Sequence, residues 1–240
     1  MPFQERRTST RSEIIKYACK MFIEEGYSNT SASKIARGLD LSPGNLTFYF
    51  PSKEDLLAVL VGELCLFQHE LMMKEMNEGY TSLLAYCLEL TSIAAICEED
   101  PVARDFHVAV YTHEKTLEII RNNDFEKTKS IFAPYCPDWT DEKWREMENI
   151  VSGIEYATIM TREENTPLEL QIESTLDTIL MLYNVPVEIR REKIAKVLAC
   201  DYRTVSRSVL AEFKNYVEQT NEYALQQQKK AHPKKPIGGR

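Results

Sequence analysis

Ser42, Gly44, Asn45 and Thr47 are small or polar residues crowded at the start of one short helical stretch. Side chains of this kind form hydrogen bonds at short reach. A helix that begins with them lets its backbone come close to the edges of base pairs in a major groove. The N-terminus of that helix also favours a nearby phosphate, and Lys53, just beyond it, can pair with a phosphate backbone. Other chemistry finds little support. The six cysteines (Cys19, Cys65, Cys87, Cys97, Cys136, Cys200) are scattered, with no close pair to hold zinc or form a redox motif. They read as free thiols in or near helical cores. His107 and His113 are not at the i, i+4 spacing that puts two metal ligands on one helix face. No nucleophile–base motif and no glycine-rich phosphate loop is recognisable. Neither catalysis, nor a metal, nor a cofactor is expected.

Several helices must position these residues. The first opens near Thr10-Arg11-Ser12-Glu13, with Ser9 or Thr10 as cap, and carries Ile14, Ile15, Ala18, Phe22 and Ile23 at helical spacing. Gly26 supplies its stop, and Tyr27 can fold back on its end. Ser31 caps a short second helix that buries Ile35, Ala36 and Leu39. Asp40-Leu41-Ser42 makes a tight turn. Ser42 caps a third helix with Pro43 in its first position, Leu46 and Phe50 sharing one face, and Pro51 ending it. Ser52 with Asp55 starts a fourth. Two short helices joined in this way describe a helix-turn-helix, and its natural partner is double-stranded DNA.

The stretch Thr10-Arg11, Ile14, Ala18, Phe22, Gly26-Tyr27, Thr30-Ser31, Ile35-Ala36 and the unbroken run Leu41-Ser42-Pro43-Gly44-Asn45-Leu46-Thr47-Phe48-Tyr49-Phe50-Pro51-Ser52-Lys53-Glu54-Asp55-Leu56-Leu57 resembles the TetR family of bacterial transcription regulators. The resemblance implies roles. Thr30, Ser31 and Ser33 correspond to positions near the start of helix 2 that touch phosphate or a base. Ser42, Gly44 and Asn45 correspond to the groove-facing start of the recognition helix. Tyr49 corresponds to a phosphate-contacting His or Tyr, and Lys53 to the phosphate-binding lysine. The family commonly has Tyr where this chain has Thr47, whose shorter hydroxyl reaches less far. Phe48 either alters the local reading or packs under helix 1. Lys34 and Arg37 are candidate helper contacts. Arg6, Arg7 and Arg11 form either a DNA-reaching arm or a solvated start of chain.

Charge agrees with a small DNA-facing module on an acidic body. The 240 residues carry a net charge of −8, but residues 1–60 hold 8 Lys+Arg against 7 Asp+Glu, so the acidity lies in the rest. Apolar residues, 43% of the chain, suffice for a core, and eight glycines are too few for a turn-rich β fold. No apolar run of the roughly 18 residues a membrane span needs is apparent, and no secretory signal. A cytoplasmic protein without a membrane partner is therefore expected.

The expected fold is all-α. A three-helix helix-turn-helix DNA-binding domain fills residues 1–53, and a helical effector-binding and dimerisation domain fills 54–225. A disordered basic tail occupies 226–240, adding non-specific DNA attraction or only solubility. Helices are read over 53–77 and 80–98, from Pro101 through Ile120, from Thr140 through Ala157, after Thr166-Pro167, and as one or two between Val187 and Gln226. The resemblance implies that this body forms a homodimer, so that the DNA site is an inverted repeat, and holds a small-molecule effector. Candidate effector residues are Phe106, Val110, Tyr111, Trp144, Tyr156 and Met160, with Phe67 and Tyr86 beside them. The dimer seam is expected over 145–183, with Ile154, Leu176, Ile179 and Tyr183 either in it or in the protomer's own core. Ile194-Ala195, Leu198 and Thr204-Val205-Ser206-Arg207 resemble a second helix-turn-helix, but two packed terminal helices fit better. The expected function is a transcription regulator, a repressor released by its effector. The alternative is a helical adaptor that retains an altered helix-turn-helix.

Overall fold

Serine side chains set where the N-terminal helices begin. In the computed structural model α1 spans Phe3–Glu24, α2 Ala32–Gly38, α3 Pro43–Tyr49 and α4 Lys53–Met76. The structure describes residues 3–77, 82–160 and 166–231, and the side chains of 9–77, 82–160 and 166–220. Ser31 Oγ accepts from the Lys34 amide and Ser42 Oγ from the Asn45 amide, while Ser52 and Asp55 form a reciprocal capping box. Each bond satisfies an amide that has no partner within its own helix. α1 starts earlier than the Thr10 opening read from sequence, so Arg6, Arg7 and Arg11 lie on a helix rather than on an extended arm.

Two backbone positions make the turns. Gly26 has φ +92°, a conformation that favours glycine, and a Cβ there would lie 2.8 Å from Asp105 Oδ2 and displace that carboxylate. Between α2 and α3, Asp40 takes φ 53°. Its amide donates to Arg37 O, and the Leu41 amide donates to Ala36 O. This paired pattern closes the end of α2, and Asp tolerates the left-handed region better than most residues.

The body comprises α5 (Leu83–Glu99), α6 (Pro101–Thr112), α7 (Glu114–Phe132), α8 (Asp141–Met160), α9 (Leu168–Leu182), α10 (Val187–Ala199) and α11 (Tyr202–Ala231). The chain is all-α, with no strand among the described residues. One correction concerns the helix expected to run from Pro101 through Ile120. His113 is extended (φ −94°, ψ 132°) and breaks it into α6 and α7, which lets α7 pack on both α4 and α8. A second concerns the tail. α11 continues to Ala231, so 226–231 are helical, whereas 232–240 lie outside the described residues.

α4 feeds both apolar clusters of the core. Its Leu56, Leu57, Leu60, Val61 and Leu64 join Ile14, Ile15, Phe22, Ile35 and Leu46 of the first three helices, together with Phe106 of α6 and Phe213 of α11. Its Leu71 and Met72 join the second cluster, which holds Tyr86, Phe132, Trp144 and Tyr183. Burying each such side chain contributes about 1.5–3 kcal/mol. The division expected at residues 53 and 54 thus falls in the first turn of a continuous helix, and apolar packing crosses it. α4 also corrects the hydropathy reading. Its 18-residue window has mean hydropathy 1.6, apolar and long enough to cross a membrane, and half of that window is buried inside the protein. The apolar residues are used on helices packed around it, α1, α5, α7 and α11 among them.

The body buries charge as well. Lys127 Nζ lies 3.0 Å from Glu89 Oε1 and 2.8 Å from Asp124 Oδ1, and His69 Nδ1 lies 3.4 Å from Glu89 Oε2. Burial pushes the Glu89 carboxyl up, but Lys127 and His69 outweigh it and hold it below its usual value. Glu148 accepts from Thr128 at 2.6 Å and from the Tyr183 hydroxyl. Burial and the nearby Asp124 push the Glu148 carboxyl up to about 7. A carboxyl whose pKa is higher in the folded state stabilises the fold in its protonated form. That contribution is complete below the ordinary value of 4.5 and is lost as pH rises to about 7. The unfolding free energy of the protein is therefore expected to fall across this window by as much as about 3 kcal/mol. Glu148→Gln should flatten that fall, as read by urea melts at a series of pH values.

Candidate nucleic-acid interface

The short helices α2 and α3 are anchored by one face and leave the other open. Ile35, Ala36 and Leu46 are buried against α1, and Phe50 closes the end of α3 with the Arg11 guanidinium 5.2 Å from its ring centre. Gly38 permits a close approach, since a Cβ there would meet the Tyr17 ring and hydroxyl. Opposite this packing, Ser31, Ser33, Ser42, Gly44, Asn45 and Thr47 are all exposed, and nothing lies within 4 Å of where a Gly44 Cβ would stand. Ser31 and Ser42 spend their hydroxyls on the helix caps, which leaves the first amides of α2 and α3 held in order at the surface. The Thr47 hydroxyl donates back to Pro43 O at 2.5 Å. Arg37 is exposed, and Lys34 is ion-paired with Glu25.

Three of the expected residues behave differently. Thr30 is 1% exposed, and its hydroxyl donates to Gly26 O at 2.8 Å. It fastens the end of α1 and is turned away from the surface. Phe48 does not pack under α1: it is 57% exposed and meets the half-buried Tyr49 edge to face, ring centres 5.2 Å apart. Lys53 is already engaged. Its ammonium donates to Tyr27 O at 2.9 Å and stands 3.7 Å from the Tyr27 ring centre, and burial lowers its pKa.

Tyr27 and Lys53 belong to a seam that the sequence alone did not reveal. The Tyr27 hydroxyl donates to Glu54 Oε1 at 3.2 Å, and its ring centre lies 5.3 Å from that of His113. The Ser28 amide donates to Asp105 Oδ2 at 2.8 Å, and the Ser28 hydroxyl also bonds Asp105. Lys115 Nζ lies 2.5 Å from Asp55 Oδ1 and holds that carboxyl below its usual range. Lys214 of α11 pairs with Glu24 at 2.7 Å. The end of α1 and the start of α4 are thus tied to α6, to the break at His113, and to α7. The partners are separated by up to 190 residues along the chain, so no local pattern marks them.

Residues 14–60 match the family model described as bacterial regulatory proteins, tetR family. The probable HTH-type transcriptional regulator YttP of Bacillus subtilis (strain 168) is 35% identical over 57 residues, 24% of this chain and 28% of that protein. YuxN of the same organism, an HTH-type regulator by name, is 48% identical over 44 residues, 18% of this chain and 15% of that protein. The HTH-type transcriptional regulator HbdR of Aromatoleum sp. (strain CIB) is 31% identical over 107 residues, 45% of each chain. Each of these relatives is matched over less than half of its length. Among solved structures, a gamma-butyrolactone receptor (ArpA-like protein) aligns at 18% identity and TM-score 0.40, over 88% of this chain and 100% of that one. The TetR-family protein CprB from S. coelicolor A3(2) aligns at 20% identity and TM-score 0.42, over 86% and 98%. Both of these likenesses are loose.

The body of the chain does not gather the expected effector residues. Phe106 and Val110 are buried in the cluster shared with the N-terminal helices. Trp144 is buried in the other cluster, between Trp139 and Tyr183. Phe67 packs on Phe213 and Tyr216. Tyr156 is half-buried, and Met160 is at the surface, its carbonyl accepting from Arg104. Of these residues only Tyr111 borders a crevice between α5, α6, α8 and α9. Of the two readings of Ile154, Leu176, Ile179 and Tyr183, the structure favours the protomer's own core. Leu176, Ile179 and Tyr183 are fully buried and Ile154 is half-buried, all in the protomer's own core. The second helix-turn-helix pattern is packed as well: Arg203 pairs with Glu98, Glu99 and Glu169, and Arg207 with Glu99.

Lys53→Met removes a charged donor from Tyr27 O and a cation from the Tyr27 ring. It is expected to lower stability by about 1 kcal/mol or more, read as a shift of the urea midpoint. An unchanged midpoint with weaker duplex binding would instead mean that Lys53 serves phosphate alone.

Proposed function

We propose that this chain is a sequence-specific double-stranded DNA-binding transcription regulator, a cytoplasmic homodimer that represses until a small molecule releases it. The observation that carries the reading is the open face of α2 and α3, where Ser31, Ser33, Ser42, Gly44, Asn45 and Thr47 are exposed on two capped helix starts. α3 enters the major groove, with Asn45 and Thr47 toward base edges, and the starts of α2 and α3 lie against phosphates. Tyr49 and Arg37 add backbone contacts. Thr30 is structural, and Lys53 reaches phosphate only by leaving Tyr27. A short half-site binds weakly alone, so two copies related by symmetry supply useful affinity. Their contact is formed by the apolar side chains that α8, α9 and α10 leave exposed: Ile150, Leu170, Met181 and Val187. The seam at Tyr27, Ser28 and Asp55 gives a path by which a change in the body reorients the recognition helix, provided that the effector prefers one of the two states.

Selection of bound duplexes from a random pool at moderate salt is expected to enrich an inverted repeat. Asn45→Arg should abolish the enrichment while sedimentation still reports a dimer. A folded protein that enriches nothing, with or without candidate effectors, would favour a helical adaptor acting through protein partners.

A further inference from the structure

α3 turns an aromatic ring outward. At about 100° per residue, Phe48 lies about 200° round the helix from the buried Leu46, and Gly44 about 160° round. Gly44 and Phe48 are therefore the centre of the open face, with Thr47 on one side and Asn45 on the other. Phe48 keeps 57% of its surface exposed, although a phenyl ring gains more from burial than most side chains. Tyr49, itself half-buried, supports one side of the ring edge to face, ring centres 5.2 Å apart. A ring held in this way gives up little rotamer freedom when it binds.

The chemistry of this face is narrow. No Asp, Glu, Lys or Arg occurs from Leu41 to Ser52, so α3 lacks the Arg or Lys that pairs with a guanine edge. The Thr47 hydroxyl donates to Pro43 O at 2.5 Å and so spends its proton within the helix. Asn45 is left as the hydrogen-bonding side chain of the open face, and its amide suits adenine. Phe48 has no hydrogen bond to offer a phosphate oxygen. What a phenyl ring meets on base edges in a major groove is the C5-methyl of thymine. Gly44, one turn earlier on the same face, has nothing within 4 Å of where its Cβ would stand, which leaves the base edges room to approach.

We propose that Phe48 is a specificity-determining residue that packs on the C5-methyl of a thymine in each half-site, so that α3 selects A·T pairs. This rests on the reading of α2 and α3 as the duplex-binding face and names the base that α3 reads there. Uracil in place of that thymine keeps every hydrogen-bonding group and loses only the methyl. Removing one methyl from an apolar contact lowers affinity about fourfold, and so about fifteenfold when both half-sites lose it. A phenyl ring lying against sugar carbons instead would bind thymine and uracil duplexes alike.

The test is a methyl scan of the inverted repeat enriched from the random pool. Each thymine is replaced by uracil in turn, in both half-sites together, and the full chain is titrated by fluorescence anisotropy at one fixed salt concentration. The parent chain is expected to lose about fifteenfold in affinity at one thymine position of the half-site. Phe48→Ala should bind the thymine duplex more weakly and should not distinguish thymine from uracil at that position. Phe48 lies outside the buried core, so the thermal melt of this variant should match that of the parent. The converse probe puts 5-methylcytosine against cytosine at the same position, each paired with guanine. The added methyl should strengthen binding by the parent and not by Phe48→Ala. The proposal is overturned if no uracil replacement weakens the parent, or if Phe48→Ala distinguishes thymine from uracil wherever the parent does. An enriched duplex indifferent to the methyl refutes the role of Phe48 and leaves the regulator reading standing. A folded chain that enriches no duplex refutes that reading, and the role of Phe48 with it.

Discussion

One helix has to satisfy two cores at once. The first half of α4 buries Leu56, Leu57, Leu60, Val61 and Leu64 against the first three helices, and its second half buries Leu71 and Met72 in the body. An α-helix rises only about 1.5 Å per residue and transmits rotation along its length. A change in packing at one end of α4 is therefore felt at the other. This explains its composition: it is apolar enough to pass for a membrane span because its sides meet several other helices.

The seam around Tyr27 gives that shared helix a fixed angle to α1. Lys53 at the start of α4 holds Tyr27 O, Asp105 of α6 holds Ser28, and Lys115 of α7 holds Asp55. These contacts are polar and partly open to solvent, so each contributes little individually. Their effect is geometric. They hold the end of α1 and the start of α4 to the two helices that meet at His113, where the chain is extended. A body that shifts α6 or α7 must either carry the N-terminal helices with it or break these bonds.

Buried charge gives the body a different character from its apolar clusters. Desolvation raises the pKa of carboxyls such as Glu148 and Glu155, while Lys127 is held charged by Glu89 and Asp124. An interior of this kind costs stability unless its acids are protonated or paired.

The sequence by itself determined the local structure of the first sixty residues. Ser31, Ser42 and Ser52 mark helix starts, Gly26 and Asp40 mark turns, and the small residues from Ser42 to Thr47 mark the exposed start of a short helix. Caps, turns and periodicity act over a few residues, so they can be read along the chain. Only the tertiary structure decided the rest. It turned Thr30 inward, engaged Lys53 with Tyr27, exposed Phe48, placed Leu176, Ile179 and Tyr183 in the protomer's own core, and scattered the expected effector residues between two clusters. It also brought Glu155 beside Tyr111, from a point 44 residues away. An aromatic or aliphatic residue on a helix shows in sequence that it will be buried, but not against what. That depends on how helices distant in sequence pack together, and on which charges this packing traps between them.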